Sequence, residues 1–107
     1  MRSDVLKGQL ELVALASLRG GPRHGYAIIK ELRERSGGKL DVLEGTLYPA
    51  LHRLEHTGLV KSSWSTEGGR RRRVYELTTK GRRELGAQEL EWRAFARALD
   101  AVLGGAP

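Results

Sequence analysis

Residues 44–59, EGTLYPALHRLEHTGL, restrict the fold more than any other stretch, because they have one apolar side and one polar side. Leu47, Leu51 and Leu54 recur at three- and four-residue spacing, with Leu43 one turn earlier, which predicts a helix with a single buried stripe. The opposite side carries Thr46, Tyr48, Pro49, His52 and Arg53, groups that can hydrogen-bond or stack on something outside the protein. Gly58 ends the helix, which is expected over about 45–57. Pro49 is expected in or near its first turn, because a deeper proline removes a backbone bond and clashes. In a chain of formal net charge +6, such a face predicts a DNA-recognition helix.

Length bounds the rest. With 107 residues the chain is one domain, or one domain plus an arm, and its core is small. Charged residues at 30% and hydrophobic ones at 39% suit a folded soluble protein. The positive charge attracts polyanions but does not separate DNA from RNA or an anionic membrane surface. The absence of cysteine excludes disulfides, thiolate metal sites and cysteine nucleophiles. No apolar run approaches a membrane span, and the N-terminal apolar stretch carries acids, unlike a signal peptide, so a cytoplasmic protein without membrane association is expected.

In chain order, residues 5–18 predict a first helix that is apolar almost all round from Leu10 onward. Such a helix is buried on more than one side, and a partner subunit is one source of the second surface. After Gly20, Gly21 and Pro22 a second helix is expected from His24 to Arg35, with Tyr26, Ile29 and Leu32 inward and Lys30, Glu31 and Glu34 outward. Ser36, Gly37 and Gly38 break it, and with the polar-faced helix at 45–57 it forms a helix-turn-helix. Residues 59–66 and 72–77 read as strands around a turn at Glu67, Gly68 and Gly69, and Arg70, Arg71, Arg72 and Arg73 follow in succession. The fold class is therefore mostly α with a small β-hairpin: a winged helix-turn-helix over 1–78, with its wing at 59–77.

Thr78 or Thr79 caps a last helix running to about Leu103, roughly 25 residues and about 37 Å long. Leu85, Trp92, Phe95, Ala96, Leu99, Val102 and Leu103 follow a three-and-four spacing interrupted by Gly86 and Glu89, a packing seam in want of a partner. A two-fold homodimer is the commonest solution, which makes 79–107 a C-terminal dimerisation helix. Its interface is expected to use Leu6, Leu10, Val13, Leu85, Trp92, Leu99 and Leu103.

The residues His24-Gly25-Tyr26, Gly45 through Leu51 with Arg53-Leu54-Glu55, Gly58-Leu59, Gly69-Arg70 through Tyr75, and Leu77-Thr78 with Gly81 together resemble the PadR-family transcriptional regulators. The resemblance spans about 6–103 and is closest to the subclass with a single C-terminal helix. It implies a dimeric repressor on a pseudo-palindromic operator in double-stranded DNA, released by a small molecule or a stress signal. In that subclass a tryptophan placed like Trp92 lines an interface cavity for flat hydrophobic compounds, which implies a small hydrophobic or aromatic effector. Phe95, Ala96 and Leu99 would share the cavity; Trp92 filling the interface as plain packing is the equal alternative. A larger subclass senses phenolic acids through a longer C-terminal domain, and this chain is too short for it.

The DNA-binding set is then Thr46, Tyr48, Pro49, His52 and Arg53 for the groove, with Arg70, Arg71 and Arg72 for phosphates or a narrow minor groove. Strand alternation turns one of Arg72 and Arg73 elsewhere. His52 and His56 have the spacing of a two-histidine clamp, but HRLEH lacks the zinc-protease order and no cysteine adds a ligand, so no metal and no cofactor are expected. No GxSxG, GxxxxGK or GxGxxG occurs, which argues against an enzyme. Two other classes remain: a nonspecific nucleic-acid binder, and a winged-helix protein-interaction module without a ligand.

Overall fold

The computed structural model describes residues 7–104, and Leu6 lies outside them. A 3-10 turn at Lys7–Gln9 leads into α1 (Leu10–Ser17). A two-residue strand β1 (Arg23–His24) precedes α2 (Gly25–Arg35) and α3 (Glu44–His56). The hairpin β2 (Val60–Glu67) and β3 (Arg70–Leu77) follows, and α4 (Thr79–Val102) closes the chain.

α1 sits in the middle. It contacts α2, α3 and α4, and Ala14 and Leu15 within it and Leu18 at its C-cap are fully buried. The second burying surface expected from a partner is thus largely supplied by the chain itself. Ser17, the buried polar residue of α1, donates its hydroxyl to the Ala14 carbonyl at 2.6 Å, so burial leaves no orphaned group.

α2 buries Ile28, Ile29 and Leu32, but Tyr26 is 61% exposed and not inward. The first turn of α2 lies so close to α3 that Tyr48 fills the space over Gly25, and Tyr26 instead lies against the His24 ring, centroids 6.4 Å apart. In α3 the predicted stripe is present as Leu47, Leu51 and Leu54, joined by Ala50. Leu43 is not part of it: it is the N-cap, with extended backbone, and is 62% exposed while Val42 takes the core position. Pro49 is the sixth residue of α3, one turn deeper than expected. Both it and Gly45, whose carbonyl it leaves without a helical partner, are on the exposed side, where water can satisfy that oxygen.

The sheet has the order β1-β3-β2, all antiparallel. The hairpin turn is tighter than expected. Glu67 pairs with Arg70, leaving Gly68 and Gly69 at φ +56° and +76°, the positive pair that a two-residue turn matched to strand twist requires. Val60, Tyr75 and Leu77 are buried at the base of the ribbon, and its outer half stands clear of the core.

α4 is held at its start by a compact joint. Thr78 caps it by accepting from Gly81 N at 2.9 Å, and the same hydroxyl donates to the Gly58 carbonyl at 2.6 Å. Thr78 N donates to the Leu59 carbonyl and Lys80 Nζ to the Thr57 carbonyl, so the helix rests on the turn that ends α3. Gly81 meets the Leu59 carbonyl with no room for a Cβ. Leu85 is buried against the core, and Arg19 at the end of α1 pairs with Glu89. Leu90, Trp92, Phe95, Leu99, Val102 and Leu103 beyond are all exposed.

Gly81→Ala should therefore destabilise the chain by about 1–3 kcal/mol, because a backbone carbonyl cannot move aside as a flexible side chain can. Gly86→Ala, on the same helix facing open space, should be neutral or stabilising by up to about 1 kcal/mol. Urea midpoints of the two variants check this.

Candidate nucleic-acid interface

Since Leu47, Ala50, Leu51 and Leu54 are buried, an advance of about 100° per residue puts Gly45, Pro49, His52 and His56 on the side of α3 that points straight out. All four are exposed. The remaining candidates divide between the two flanks. Tyr48 lies on the flank toward the wing and shares with Arg70, Arg71, Arg72, Arg73 and His24 a groove of about 470 Å³. Thr46 and Arg53 lie on the other flank, where Arg53 Nε is 3.9 Å from Glu11 Oε2 of α1. That pair is exposed on both sides and holds Arg53 only weakly.

Gly25 fixes the spacing of α2 and α3, because a Cβ there would collide with the Tyr48 hydroxyl. The motif residue His24 caps α2, with its Nδ1 3.3 Å from Ala27 N, while its Nε2 lies 2.6 Å from Arg72 Nη1. A neutral imidazole has one bare nitrogen, so these two donors compete for it, and a protonated ring would face both with N–H groups. Burial, then the Arg72 charge, hold the His24 pKa below its usual value, with Glu67 opposing.

The arginines alternate as a ribbon demands. Arg72 turns to His24, whereas Arg71 and Arg73 lie over the Trp64 indole on the other face, 4.5 and 5.3 Å from its ring centroid. Arg73 also donates from Nε to Ser62 Oγ at 2.9 Å and lies 3.9 Å from Glu55 of α3, to which Ser62 donates in turn. Neither Arg70 nor Arg71 forms an ion pair among the described residues. As parts of this interface, Trp64 and Glu55 escaped the sequence reading. The signal was present, since a turn placed on Gly68-Gly69 puts Trp64 opposite Arg73.

On α4, Trp92 and Phe95 pack together with ring centroids 5.9 Å apart. They form one wall of a groove of about 600 Å³ whose other walls include Leu10, Leu12, Glu11 and Arg53. Ala96 and Leu99 are not among the lining residues of this groove. Of the expected interface residues, Trp92, Leu99 and Leu103 are exposed and Val13 is half-buried, whereas Leu10 and Leu85 are buried in the chain's own core, where α1 meets α4. Both serve the chain's own core. Among the described residues no group of three or more His, Asp or Glu is placed to hold a metal ion, and no helix is long and apolar enough to cross a membrane.

A helix-turn-helix with an exposed polar recognition face, flanked by a basic two-stranded wing, defines a winged-helix DNA-binding regulator of transcription. The chain belongs to the PadR-like family of transcriptional regulators, whose pattern it matches over residues 14–87, and it is not an enzyme. It is 44% identical over 82 residues to the transcriptional regulator Rv3488 of Mycobacterium tuberculosis, covering 77% of this chain and 71% of that one. A transcriptional regulator from Clostridium thermocellum superposes with a TM-score of 0.84 at 31% identity, covering 94% of this chain and 96% of the other. A PadR family regulator from Clostridium difficile does so at 0.80 and 34% identity, covering 90% and 99%.

The lowered His24 pKa has a sign. A folded state that disfavours the imidazolium is stabilised above the unfolded value of 6.5, and this contribution is lost as pH falls below 6.5 toward the lower folded value. The melting temperature of wild type should thus fall more steeply between about pH 7 and pH 5 than that of His24→Asn, which keeps a capping oxygen but does not titrate.

Proposed function

We propose that the chain acts as a homodimeric, sequence-specific repressor of transcription in the cytoplasm, relieved by a small hydrophobic or aromatic compound bound at the dimer interface. The observation that carries the dimer is α4: Trp92, Phe95, Leu99, Val102 and Leu103 are exposed on one helix at near-heptad spacing, an apolar seam that a second copy would cover. In this reading residues up to 78 bind DNA and those from 79 onward associate. Pro49 and His52 face the floor of a major groove, Tyr48 and Arg53 its two sides, and Thr46 lies beside Arg53. Arg70 and Arg71 reach phosphates, and Arg72 joins them when it leaves His24.

The joint at Thr78 and Gly81 supports a route for the effector. Tilting α4 through Trp92 would move the turn at 57–59, and with it the end of the recognition helix. In a two-fold dimer the recognition helices must match successive major grooves about 34 Å apart, so a small tilt weakens binding.

Binding of the full-length protein to duplexes selected from random sequence, measured at several salt concentrations, tests the repressor reading. A palindromic consensus should emerge. Affinity should fall with a log–log slope of about 0.9 for each phosphate neutralised. Arg53→Ala should cost about 1–3 kcal/mol and relax the consensus at one position, while Arg70→Ala should weaken all sequences alike and flatten the slope by about 0.9. Selection of no consensus would leave a nonspecific binder. Separately, Trp92→Ala should lower the dimer's association constant at least tenfold in sedimentation equilibrium, as expected for an aromatic anchor at the centre of an interface.

A further inference from the structure

We propose that Trp64 is a positioning residue of the DNA interface: its indole holds the Arg71 guanidinium on the wing, aimed at a phosphate of the bound duplex. The proposal rests on the DNA-binding reading above. Trp64 stands on the outer half of β2, 54% exposed, where it contributes little to the core. Across the ladder it faces Arg73 directly, while Arg71, paired with Thr66, is its diagonal neighbour. The two guanidiniums thus share one ring, at 4.5 Å for Arg71 and 5.3 Å for Arg73.

Their situations differ. Arg73 is committed to Ser62 and Glu55, which anchors the indole's neighbour to the recognition helix. The Arg71 side chain has the Trp64 face as its only contact of hydrogen-bond, ion-pair or ring type among the described residues. Stacking engages the flat face of a guanidinium and none of its N–H groups, so all five donors of Arg71 stay available. A free arginine loses rotamer freedom when it binds a phosphate; one already stacked has lost part of it beforehand, which favours association. Arg71 lines the same groove as Tyr48, so it projects beside the recognition helix and not behind it.

The test uses the full-length chain and a duplex selected by the wild type. Trp64→Ala and Arg71→Ala should each weaken binding about three- to tenfold, and each should flatten the salt dependence by up to about 0.9 per wing contact. The double variant should bind no more weakly than Arg71→Ala alone, and Trp64→Phe should retain most of the affinity. In the free protein the Arg71 Hδ protons should show an upfield ring-current shift that Trp64→Ala abolishes. Wild-type affinity and slope in Trp64→Ala, or no ring-current shift, would overturn the proposal alone. So would an equal loss when Trp64→Ala is made in the Arg71→Ala background, because the indole would then touch DNA itself. Failure of the wild type to bind any duplex would overturn the DNA-binding reading and the proposal together.

Discussion

Leu15 of α1 and Leu18 at its C-cap are fully buried, and the whole arrangement of the chain depends on what covers them. α1 is 8 residues long, too short to persist as an isolated helix in water. It exists because α2, α3 and α4 close round it, each contributing leucines or isoleucines to one continuous core. Burial of a leucine is worth about 1.5–3 kcal/mol, and α3 receives its rotation from the same contacts. Leu47, Ala50, Leu51 and Leu54 must face α1 and its neighbours, so Pro49 and His52 must face out.

From that core two rigid connections lead to the surfaces that matter. One is the joint in which Thr78, Lys80 and Gly81 grip the carbonyls of residues 57–59, so that the end of α3 and the start of α4 are effectively one body. The other runs from Glu55 of α3 through Ser62 and Arg73 to Trp64, tying the wing to that helix. The exposed apolar seam of α4 and the exposed faces of α3 and the wing are therefore mechanically linked. His24 adds a third link, since one ring both caps α2 and engages Arg72 of the wing.

Much of this was legible in the residues. The leucine spacing of α3, the glycines after α2 and α3, the Thr78 cap and the arginine run each act through local rules of period, backbone angle or hydrogen bonding. Where two segments had to meet, local rules were insufficient. Tyr26 has the spacing of an inward residue but is displaced by Tyr48 packing over Gly25. Leu10 and Leu85 belong to apolar helices and were expected at a subunit interface, yet both are buried in the chain's own core. β1 carries no strand signal in Arg23 and His24, and becomes a strand because α2 docks it beside β3.

By itself the sequence determined the order of the four helices and the hairpin, the family and the basic face, because these follow from short-range spacing and side-chain chemistry. Only the tertiary structure decided which apolar residues are core and which remain exposed on α4, since burial depends on the neighbours a helix acquires. It also decided which arginine does what: the two-residue turn sets the hairpin register, and that register stacks Arg71 and Arg73 on Trp64 while turning Arg72 to His24.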